Sequence, residues 1–351
     1  MKKLLSEENG QMYPPLPPYI VTGGLGRGGF GVVVSVKNIG TGEEFAMKKI
    51  PKYAVDGLHE RQKNLARELI LMTNLPHCAF LLRCYSAFET HADVLMVTEL
   101  LRGGDLYFHM AERKKKMPRG ESGLPESQAK IILSELVVGL QHLHKYGFVH
   151  RDVKAENLMF DERGHVKLID FGLACFIGEE EDISMSAVGS VCYMSPELIV
   201  KKRGGRHTDW WAVGVLTYEI LTGRSPWSCL SPRSSLVKEI QTIRVLPPHH
   251  VSRAASNFVS QLLEHEPAKR LGSTYDSDIT DALFFEGIDW EATTANRSAP
   301  AFVPGLVNIS KGESERALNE YRSPPTNEEG GRFLSFGLMA VSHPPTEAVC
   351  L

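Results

Sequence analysis

The feature that most constrains the fold of this chain is a glycine-rich segment that runs directly into a valine-rich one. Residues 26–33 read GRGGFGVV, which places Gly26, Gly28 and Gly31 in the spacing GxGxxG. In a dinucleotide-binding fold a helix follows the last glycine. Here residues 32–36 (VVVSV) follow, and β-branched residues favour a strand. The segment therefore indicates a hairpin that lays backbone N–H groups over phosphates, with a purely structural hairpin as the alternative.

Hydrophobic patterns divide the chain into a β-rich part followed by a helical part. Residues 20–100 carry β-branched runs separated by turns and interrupted by one amphipathic helix, predicted over 59–74. Further along, helices are predicted over 126–146 and 209–221. The second of these is apolar on nearly every side, so we expect it to be buried, with Asp209 as its N-cap.

Composition excludes several classes of protein. The 351 residues include 39 Lys and Arg against 42 Asp and Glu, so we expect no direct nucleic-acid partner. No apolar run is long enough to cross a bilayer, so we expect no membrane span. The six cysteines form no CxxC pair, which favours reduced thiols over a zinc site or disulfides and a location in the cytoplasm or the nucleus. A basic run at 113–116 is interpreted as a solvated loop, with a docking patch as the alternative.

A polar octapeptide at residues 150–157, HRDVKAEN, carries the groups that a phosphoryl-transfer site needs. Such a site requires a carboxylate near the attacking hydroxyl, positive charge for the γ-phosphate and a neutral oxygen ligand for magnesium. Asp152, Lys154 and Asn157 supply one of each. The next predicted strand ends at Asp170, whose carboxylate is a hard oxygen ligand for the same ion.

A second candidate group lies upstream of the octapeptide. Lys48 ends a predicted strand 17 residues after Gly31, where its ammonium group would face polyphosphate oxygens. A lysine in that position needs a carboxylate to hold it, and Glu68 lies beside the apolar stripe of the helix predicted over 59–74. Taken alone, Lys48 and Glu68 would be a surface ion pair that contributes little to stability.

Taken in order, these motifs resemble those of the eukaryotic protein kinases. The set comprises GxGxxGxV, AxK at residues 46–48, the helical glutamate, HRDxKxxN, DFG at 170–172, and SPE at 195–197, where most relatives have APE. The lysine two positions after the HRD aspartate is similar to the serine/threonine class. The resemblance covers about residues 19–290 and implies an α+β, bilobal fold, with a small β-rich N-lobe carrying one helix and a larger, mainly helical C-lobe.

The domain organisation implied by the resemblance has three parts. Residues 1–18 would form a proline-rich arm. Residues 19–290 would form the kinase domain, with the N-lobe at 19–101 and the C-lobe at 102–290. Residues 291–351 would form a C-terminal tail, which the sequence suggests is irregular because Pro, Ser, Asn and Gly dominate it.

Finer features are similar to the AGC group of kinases. PAKRLG at residues 267–272 resembles a signature of that group, and FLSF at 333–336 resembles its hydrophobic motif, which folds back onto the small lobe. Within the group the chain most resembles the N-terminal kinase domain of the mitogen- and stress-activated and p90 ribosomal kinases. Ser323 and Ser335 are the regulatory sites that the resemblance implies in the tail.

The resemblance implies ATP and Mg²⁺ as cofactors and a role for each matching residue. Lys48 would hold the α- and β-phosphates and pair with Glu68. Asp152 would orient the substrate hydroxyl and Lys154 would touch the γ-phosphate, so Lys48, Asp152 and Lys154 are the implied catalytic residues. The implied metal ligands are Asn157 and Asp170, and the implied nucleotide site comprises Gly26, Arg27, Gly28, Gly29, Phe30, Gly31, Val33, Ala46, Lys48, Glu68, Thr98, Glu99, Leu101, Asp105, Glu156, Asn157, Met159 and Asp170.

The resemblance also implies protein substrates that carry arginine N-terminal to the target Ser or Thr. Asp105, Glu156 and Glu219 match acidic positions that meet such arginines, although each alone reads equally well as a solvated carboxylate. Ser190 matches an activation-segment residue that lies near Asp152 in the family.

Regulation by an upstream kinase is implied by Ser186, which matches the activation-loop phosphosite. The acidic run at 179–182 gives this loop little apolar surface, so a phosphate paired with Arg151 would order it. We expect Arg151 to lack another partner. Glu197 is expected to form a buried pair with Arg270.

Two readings of the whole chain remain. The first is an active, monomeric serine/threonine kinase. The alternative is a pseudokinase that acts as a scaffold or a nucleotide-binding module, and such proteins usually lack the lysine or one of the aspartates that this chain retains.

Overall fold

The computed structural model describes residues 7–8, 11–12, 19–28, 31–52, 59–90, 92–118, 122–178, 183–185, 188–229, 231–245, 251–274, 277–307 and 311–322. These residues belong to two compact units. One unit is drawn from residues 1–76, 82–101 and 308–351, and the other from residues 77–81 and 102–307. Each unit is therefore assembled from stretches that are separate in sequence.

The first unit is built on a five-stranded antiparallel sheet. In chain order the strands of the protein are β1 Glu7–Glu8, β2 Gln11–Met12, β3 Tyr19–Gly28, β4 Gly31–Asn38, β5 Glu44–Pro51, β6 Cys84–Glu89, β7 Asp93–Thr98, β8 Phe148–Val149, β9 Leu158–Phe160, β10 Val166–Leu168, β11 Cys175–Phe176, β12 Ile183–Ser184 and β13 Arg203–Gly204. The five-stranded sheet has the order β3-β4-β5-β7-β6. The predicted glycine-rich hairpin is its β3–β4 edge, which confirms that a strand and not a helix follows Gly31.

The helices predicted over 59–74, 126–146 and 209–221 are among the ten that the described residues form. In chain order they are α1 His59–Asn74, α2 Leu106–Lys116, α3 Glu126–Lys145, α4 Pro196–Lys201, α5 Arg206–Thr222, α6 Arg233–Thr242, α7 Arg253–Leu262, α8 Ser277–Thr280, α9 Trp290–Thr294 and α10 Lys311–Arg322. Of these, α1 and α10 belong to the first unit. None of the helices in the described part of the chain is both long enough and apolar enough to cross a bilayer.

Helix α10 packs on the sheet of the first unit. Its side chains Leu318 and Tyr321 lie against a buried cluster formed by Val34, Val36, Met47, Phe88, Leu95 and Val97. The approach is close at Gly24, where an added Cβ would lie 2.2 Å from the carbonyl oxygen of Ser314. The Gly24 N–H donates to Ser314 Oγ at 3.0 Å. The sequence predicts an irregular tail, and this helix was missed because its apolar residues are few.

The second unit is organised around helix α5. Trp210 and Trp211 on this helix are fully buried, as its all-round apolar pattern predicts. Gly223 ends the helix in a left-handed conformation. The prediction that Asp209 is the N-cap was wrong, because the helix begins one turn earlier with Gly205 as its N-cap. Asp209 lies instead in the first turn, where its carboxylate serves another segment of the chain.

Two further predictions about the chain need correction. The basic run 113–116 is the last turn of α2, where cations interact favourably with the helix dipole, and not a loop. In the arm predicted over residues 1–18, strands β1 and β2 pair with each other, while its proline-rich residues lie outside the described part. The prediction of reduced thiols is the second to be corrected. Cys192 and Cys229 form a disulfide, because folding brings their Cα atoms to 5.9 Å across 37 residues of sequence. Spacing in sequence carries no sign of that proximity.

Candidate functional site

The first unit presents a buried lysine–glutamate pair. Lys48 lies on β5 and Glu68 on α1, and Lys48 Nζ donates to Glu68 Oε1 at 2.7 Å. Glu68 is 2% exposed, so this is not the solvated surface pair of the alternative interpretation. Since a buried carboxylate is stable only when it is paired, the pair fixes the lysine at the centre of the sheet.

The glycine-rich hairpin flanks this lysine. Val33 on β4 lies opposite Lys48 on β5 in the antiparallel register. Gly31 is required by packing, because a Cβ there would lie 2.0 Å from the carbonyl oxygen of Lys49. Gly26 has φ of 154° and open space around it, which suits a backbone that must receive a ligand. Gly29 and Phe30, at the tip between β3 and β4, lie outside the described residues.

The next predicted nucleotide-site residues cluster on β5 and β7. Ala46 pairs with Thr98 across these strands, and both are buried. Glu99 Oε1 accepts the N–H of Arg83 at 2.7 Å, which fixes the chain just after β7. Leu101 is half-buried at the end of the same stretch. The structure thus brings Ala46 and Thr98 together on neighbouring strands, with Glu99 and Leu101 in the segment that follows β7.

In the second unit, Asp209 binds the backbone of the HRD segment, residues 150–152. Its carboxylate accepts the backbone N–H of His150 at 2.9 Å and of Arg151 at 2.8 Å, and it lies 2.9 Å from the ring Nε2 of His144. The side chain is fully buried. Burial alone would raise the pKa of Asp209, but its contacts with His144 outweigh that effect and lower it. This role of Asp209 was not predicted, and the one sign of it in the sequence is a carboxylate within an otherwise apolar helix.

The side chains of Asp152, Lys154, Asn157 and Ser190 meet in one cluster. Lys154 Nζ donates to Asp152 Oδ2 at 2.6 Å and to Ser190 Oγ at 3.2 Å. Asn157 Nδ2 donates to the backbone oxygen of Asp152 at 2.8 Å and to its Oδ2 at 3.0 Å. The N–H and hydroxyl of Ser190 reach Asp152 Oδ1 at 3.1 and 3.3 Å. The cluster places a carboxylate, a cation and a hydroxyl within hydrogen-bond distance of one another.

This cluster keeps Asp152 ionised. The residue is 7% exposed, and burial by itself would raise the pKa of its carboxyl. The hydrogen bond and charge of Lys154 outweigh burial, so the pKa of Asp152 lies below its usual value. At neutral pH the group is therefore an acceptor on both oxygens and can take a hydrogen bond from a hydroxyl.

Two residues beside the cluster hold a left-handed backbone. Arg151 has φ of 67° and Asp170 has φ of 61°, and such values are uncommon for residues other than glycine. Strain of this kind is retained where surrounding contacts enforce it, as at functional sites. Asp170 is exposed, and its Oδ1 accepts the N–H of Gly172 at 3.3 Å. One carboxylate oxygen of Asp170 is thereby oriented by the DFG turn itself.

The expectation that Arg151 lacks another partner was wrong. Its Nε donates to the carbonyl oxygen of Leu173 at 2.6 Å, so the guanidinium already ties the HRD segment to the segment after Gly172. Ser186, the predicted phosphosite, lies outside the described residues, as do Ser323, Ser335 and the acidic run 179–182.

The described part of the activation segment is anchored by apolar and backbone contacts. Strand β12 pairs with β13, and the Met185 N–H donates to the carbonyl oxygen of Lys202 at 2.8 Å. Met185 is 5% exposed and belongs to a buried cluster with Met194 and Leu198, among others. The polarity of residues 179–182 predicts a weakly held loop, whereas the burial of the single side chain of Met185 is not evident from the sequence.

The three acidic residues predicted to meet arginine have different surroundings. Asp105 is the N-cap of α2 and accepts the N–H of Phe108 at 2.7 Å. Glu156 is exposed. Glu219 on α5 accepts a hydrogen bond from the hydroxyl of Tyr193, and burial raises the pKa of Glu219 to about 7. Sequence reasoning missed Tyr193, which is the structural partner of this carboxylate.

The predicted pair of Glu197 and Arg270 is present and bidentate. Arg270 Nη1 and Nη2 donate to Glu197 Oε1 and Oε2 at 2.7 and 3.0 Å, and both side chains are buried. Burial opposes ionisation of Glu197, but Arg270 outweighs it and the pKa of the carboxyl is lowered. This pair fixes the end of the activation segment to the segment that follows α7.

The remaining predicted residue, Met159, lies on β9 opposite Lys167 on β10 and forms an isolated bridge with Asp105. It is half-buried. Among the described residues there is no group of three or more His, Cys, Asp or Glu side chains that would hold a metal ion by themselves. A metal ion at Asn157 and Asp170 would therefore need oxygen ligands from elsewhere, such as phosphates.

Comparison with known proteins agrees with this geometry. The family model described as the protein kinase domain matches residues 19–283. Ribosomal protein S6 kinase alpha-6 of Homo sapiens is 33% identical over 80% of this chain and 36% of its own length. Ribosomal protein S6 kinase alpha-4 of Homo sapiens is 32% identical over 80% of this chain and 37% of its own.

A third relative, protein kinase 3 of Dictyostelium discoideum, is 33% identical over 86% of this chain and 33% of its own length. The chain thus spans about a third of the length of these curated relatives. The matched region covers parts of both described units, and it contains the lysine, asparagine and aspartates of the site.

Proposed function

Because this chain belongs to the protein kinase family, we propose that it is an active serine/threonine kinase that transfers the γ-phosphate of ATP to protein substrates. The observation that carries the proposal is the cluster of Asp152, Lys154 and Ser190, which holds an ionised carboxylate and a cation together. The pseudokinase alternative differs in one measurable respect, because such a protein would bind ATP without transferring its phosphate.

The proposed reaction is an in-line phosphoryl transfer. The Ser or Thr hydroxyl oxygen of the substrate forms a bond to the γ-phosphorus while the bond from that phosphorus to the β–γ bridging oxygen breaks. ADP leaves, and the hydroxyl proton passes to Asp152. Lys154 stabilises the charge that develops on the transferred group, and Lys48 positions the α- and β-phosphates.

Magnesium fits the donors that this chain offers. Asn157 uses its amide nitrogen toward Asp152, which leaves Oδ1 for a cation, and Asp170 has an exposed carboxylate. These are hard oxygen ligands, which magnesium prefers. Because the protein would supply only two of them, the ion would bind together with the nucleotide. When bound, it would neutralise phosphate charge.

Preference for arginine N-terminal to the target residue is part of the proposal. Glu219 is half-buried, accepts one hydrogen bond from Tyr193 and has exposed Glu156 as a charged neighbour that contributes to its raised pKa. A guanidinium donates bidentately to carboxylates and would relieve this repulsion. Asp105 accepts a backbone hydrogen bond as the N-cap of α2. In the proposal its contribution to arginine preference is the negative charge that it adds near the start of this helix.

Regulation by an upstream kinase at Ser186 is proposed as well, with Ser323 and Ser335 as further sites. Arg151 would accept the Ser186 phosphate while its Nε keeps the bond to Leu173. We also propose the boundaries 1–18, 19–290 and 291–351 for arm, kinase domain and tail, a monomeric state, and a location in the cytoplasm or nucleus.

Replacing the ionised carboxylate of the cluster tests the assignment. We predict that Asp152→Asn lowers kcat at least about a hundredfold, the scale of a lost acid–base group, while nucleotide binding and thermal stability stay near wild type. Phosphate transfer to an arginine-containing peptide is the measurement. Glu291→Gln, at a highly exposed carboxylate, is the matched control and should transfer phosphate normally. A wild-type protein that binds ATP but transfers no phosphate would show the pseudokinase alternative to be correct.

A further inference from the structure

Two cysteines join the segment after Ser190 to the loop after α5. Cys192 lies in the 3-10 turn Val191–Tyr193, and Cys229 lies six residues beyond Gly223. Their Cα atoms are 5.9 Å apart, within the usual range for a disulfide, and the two residues form one. Neither cysteine has a role in the phosphoryl transfer proposed above.

The loop that carries Cys229 is fixed to the core. Trp227 is 5% exposed, and its ring stacks on that of fully buried Trp211 with centroids 5.9 Å apart. The Cys229 N–H donates to the carbonyl oxygen of Trp227 at 2.9 Å. Trp227 Nε1 in turn donates to the carbonyl oxygen of Cys192 at 2.7 Å. The disulfide is thus a second link between a rigid loop and the segment of Cys192.

The linked segment bears on both parts of the proposed peptide site. Ser190, two residues before Cys192, bonds Asp152 through its N–H and its hydroxyl. Tyr193, the next residue after Cys192, donates to Glu219. Cys192 therefore lies between two residues that each contact a proposed substrate-binding carboxylate. Ser190 contacts Asp152, which is proposed to receive the substrate hydroxyl, and Tyr193 contacts Glu219, which is proposed to receive arginine.

We propose that the Cys192–Cys229 bridge is a reversible redox clamp on the peptide-binding segment. The bridged form holds Ser190 and Tyr193 in the arrangement seen here, and reduction loosens the segment and weakens peptide binding. ATP binding is unaffected, because neither cysteine belongs to the proposed nucleotide site. This inference rests on the proposed transfer to protein substrates.

Formation of the bridge needs an oxidant, which we assign to the class of hydroperoxides. A thiolate of one cysteine attacks the peroxide oxygen, giving a sulfenic acid and releasing water or alcohol. The second thiol attacks the sulfenic sulfur and displaces water, so two thiols lose two electrons and two protons in total. A cellular dithiol reverses the reaction by thiol–disulfide exchange. Both cysteines are half-buried, so small reagents reach them.

The test compares wild type with Cys229→Ser and Cys192→Ser. Cys175→Ser is the matched control, since Cys175 is a free, half-buried thiol in the same unit. Each protein is treated with hydrogen peroxide or dithiothreitol. The bridge is then mapped by mass spectrometry of unreduced digests, and KM is measured separately for an arginine-containing peptide and for ATP.

We expect peroxide to bridge wild type and Cys175→Ser, and reduction to raise the peptide KM about three- to tenfold, the scale of ordering a few side chains at an interface. The ATP KM should not change. Both cysteine-pair variants should show the higher peptide KM under either treatment. Absence of the bridge after peroxide, or equal peptide KM values in the bridged and reduced enzyme, would overturn the clamp. Absence of peptide phosphorylation in both states would instead overturn the proposed function and the clamp with it.

Discussion

Asp152 is a buried carboxylate and Glu219 a half-buried one, and their pKa values shift in opposite directions. Lys154 bonds Asp152 and lowers its pKa, whereas Glu219 has Tyr193 as hydrogen-bond donor and Glu156 as a charged neighbour, and burial raises its pKa to about 7. The difference between a cation and a hydroxyl as partner therefore decides which group is ionised at neutral pH. The sequence shows both acids but neither environment.

The raised pKa of Glu219 predicts pH-dependent arginine selectivity. The carboxyl is mostly neutral below about pH 6 and mostly ionised above about pH 8, and only the ionised form attracts a guanidinium strongly. The ratio of kcat/KM for an arginine-containing peptide to that of its alanine counterpart should therefore rise severalfold between pH 6 and pH 8. Glu219→Gln should remove this rise while both peptides remain substrates. A wild-type ratio that is flat across this range would contradict the role of Glu219.

Another residue-scale prediction concerns the buried pair of Arg270 and Glu197. Arg270→Leu leaves a buried carboxylate without its partner, which should cost about 3–5 kcal/mol of unfolding free energy. Thermal unfolding of the variant should start well below that of wild type. Arg297→Leu is the control, because Arg297 pairs with highly exposed Glu291 and should have little effect. Equal melting temperatures for the two variants would show that the buried pair contributes no more than an exposed one.

At the scale of elements, hydrophobic periodicity predicted both ends of α1 correctly. It also predicted that α3 ends just before Gly147, which has a left-handed backbone. Such helices are predictable because one apolar face must be buried and a glycine then stops them. Helix α10 escaped prediction because it docks through one small residue, Ala317, and two large ones, Leu318 and Tyr321. Its position depends on a glycine about 290 residues earlier, which no local pattern reveals.

This docking predicts a specific effect of substitution at Gly24. In Gly24→Val the new Cβ would collide with the backbone of Ser314, so α10 should detach from the β3–β4 edge. Hydrogen exchange of residues 311–322 should accelerate, and the KM for ATP should rise because the glycine-rich hairpin loses its support. Gly23→Ala on the same strand is the control, since its Cβ would meet only side-chain atoms, Ser35 Oγ at 3.0 Å and Ser314 Oγ at 3.9 Å, and no backbone. Unchanged protection of residues 311–322 in Gly24→Val would refute the docking.

At the scale of the whole molecule, the structure changes what phosphorylation has to accomplish. Arg151 already bonds Leu173, and Met185 is already buried beside Met194. The activation segment is thus partly ordered by contacts that need no phosphate. The resemblance correctly gave the order of the motifs, but it did not predict these anchors, which depend on which side chains meet in three dimensions.

A substitution at Met185 separates the two sources of order. Met185→Ala removes buried apolar contacts, a change that typically costs about 2–5 kcal/mol in a core. We predict that it lowers kcat severalfold in protein unphosphorylated at Ser186 and less in protein phosphorylated there, as measured by peptide turnover. Met117→Ala, at an exposed methionine, should leave both rates unchanged. Equal losses with and without the phosphate would show that Met185 and the phosphate do not act on the same equilibrium.

The contact between Gly24 and Ser314 joins two stretches that are synthesised at different times. The last strand of the five-stranded sheet ends at Thr98, whereas the helix Lys311–Arg322, which covers its buried cluster, begins 213 residues later (311 minus 98). At about 5–20 residues per second, the nascent sheet waits roughly 10–45 s for that cover. During this interval the apolar face of β3, β4 and β5 is open to other nascent chains. A ribosome-associated chaperone that binds apolar strands would therefore bind the sheet formed within residues 19–98. It would release this sheet only when residues 311–322 emerge.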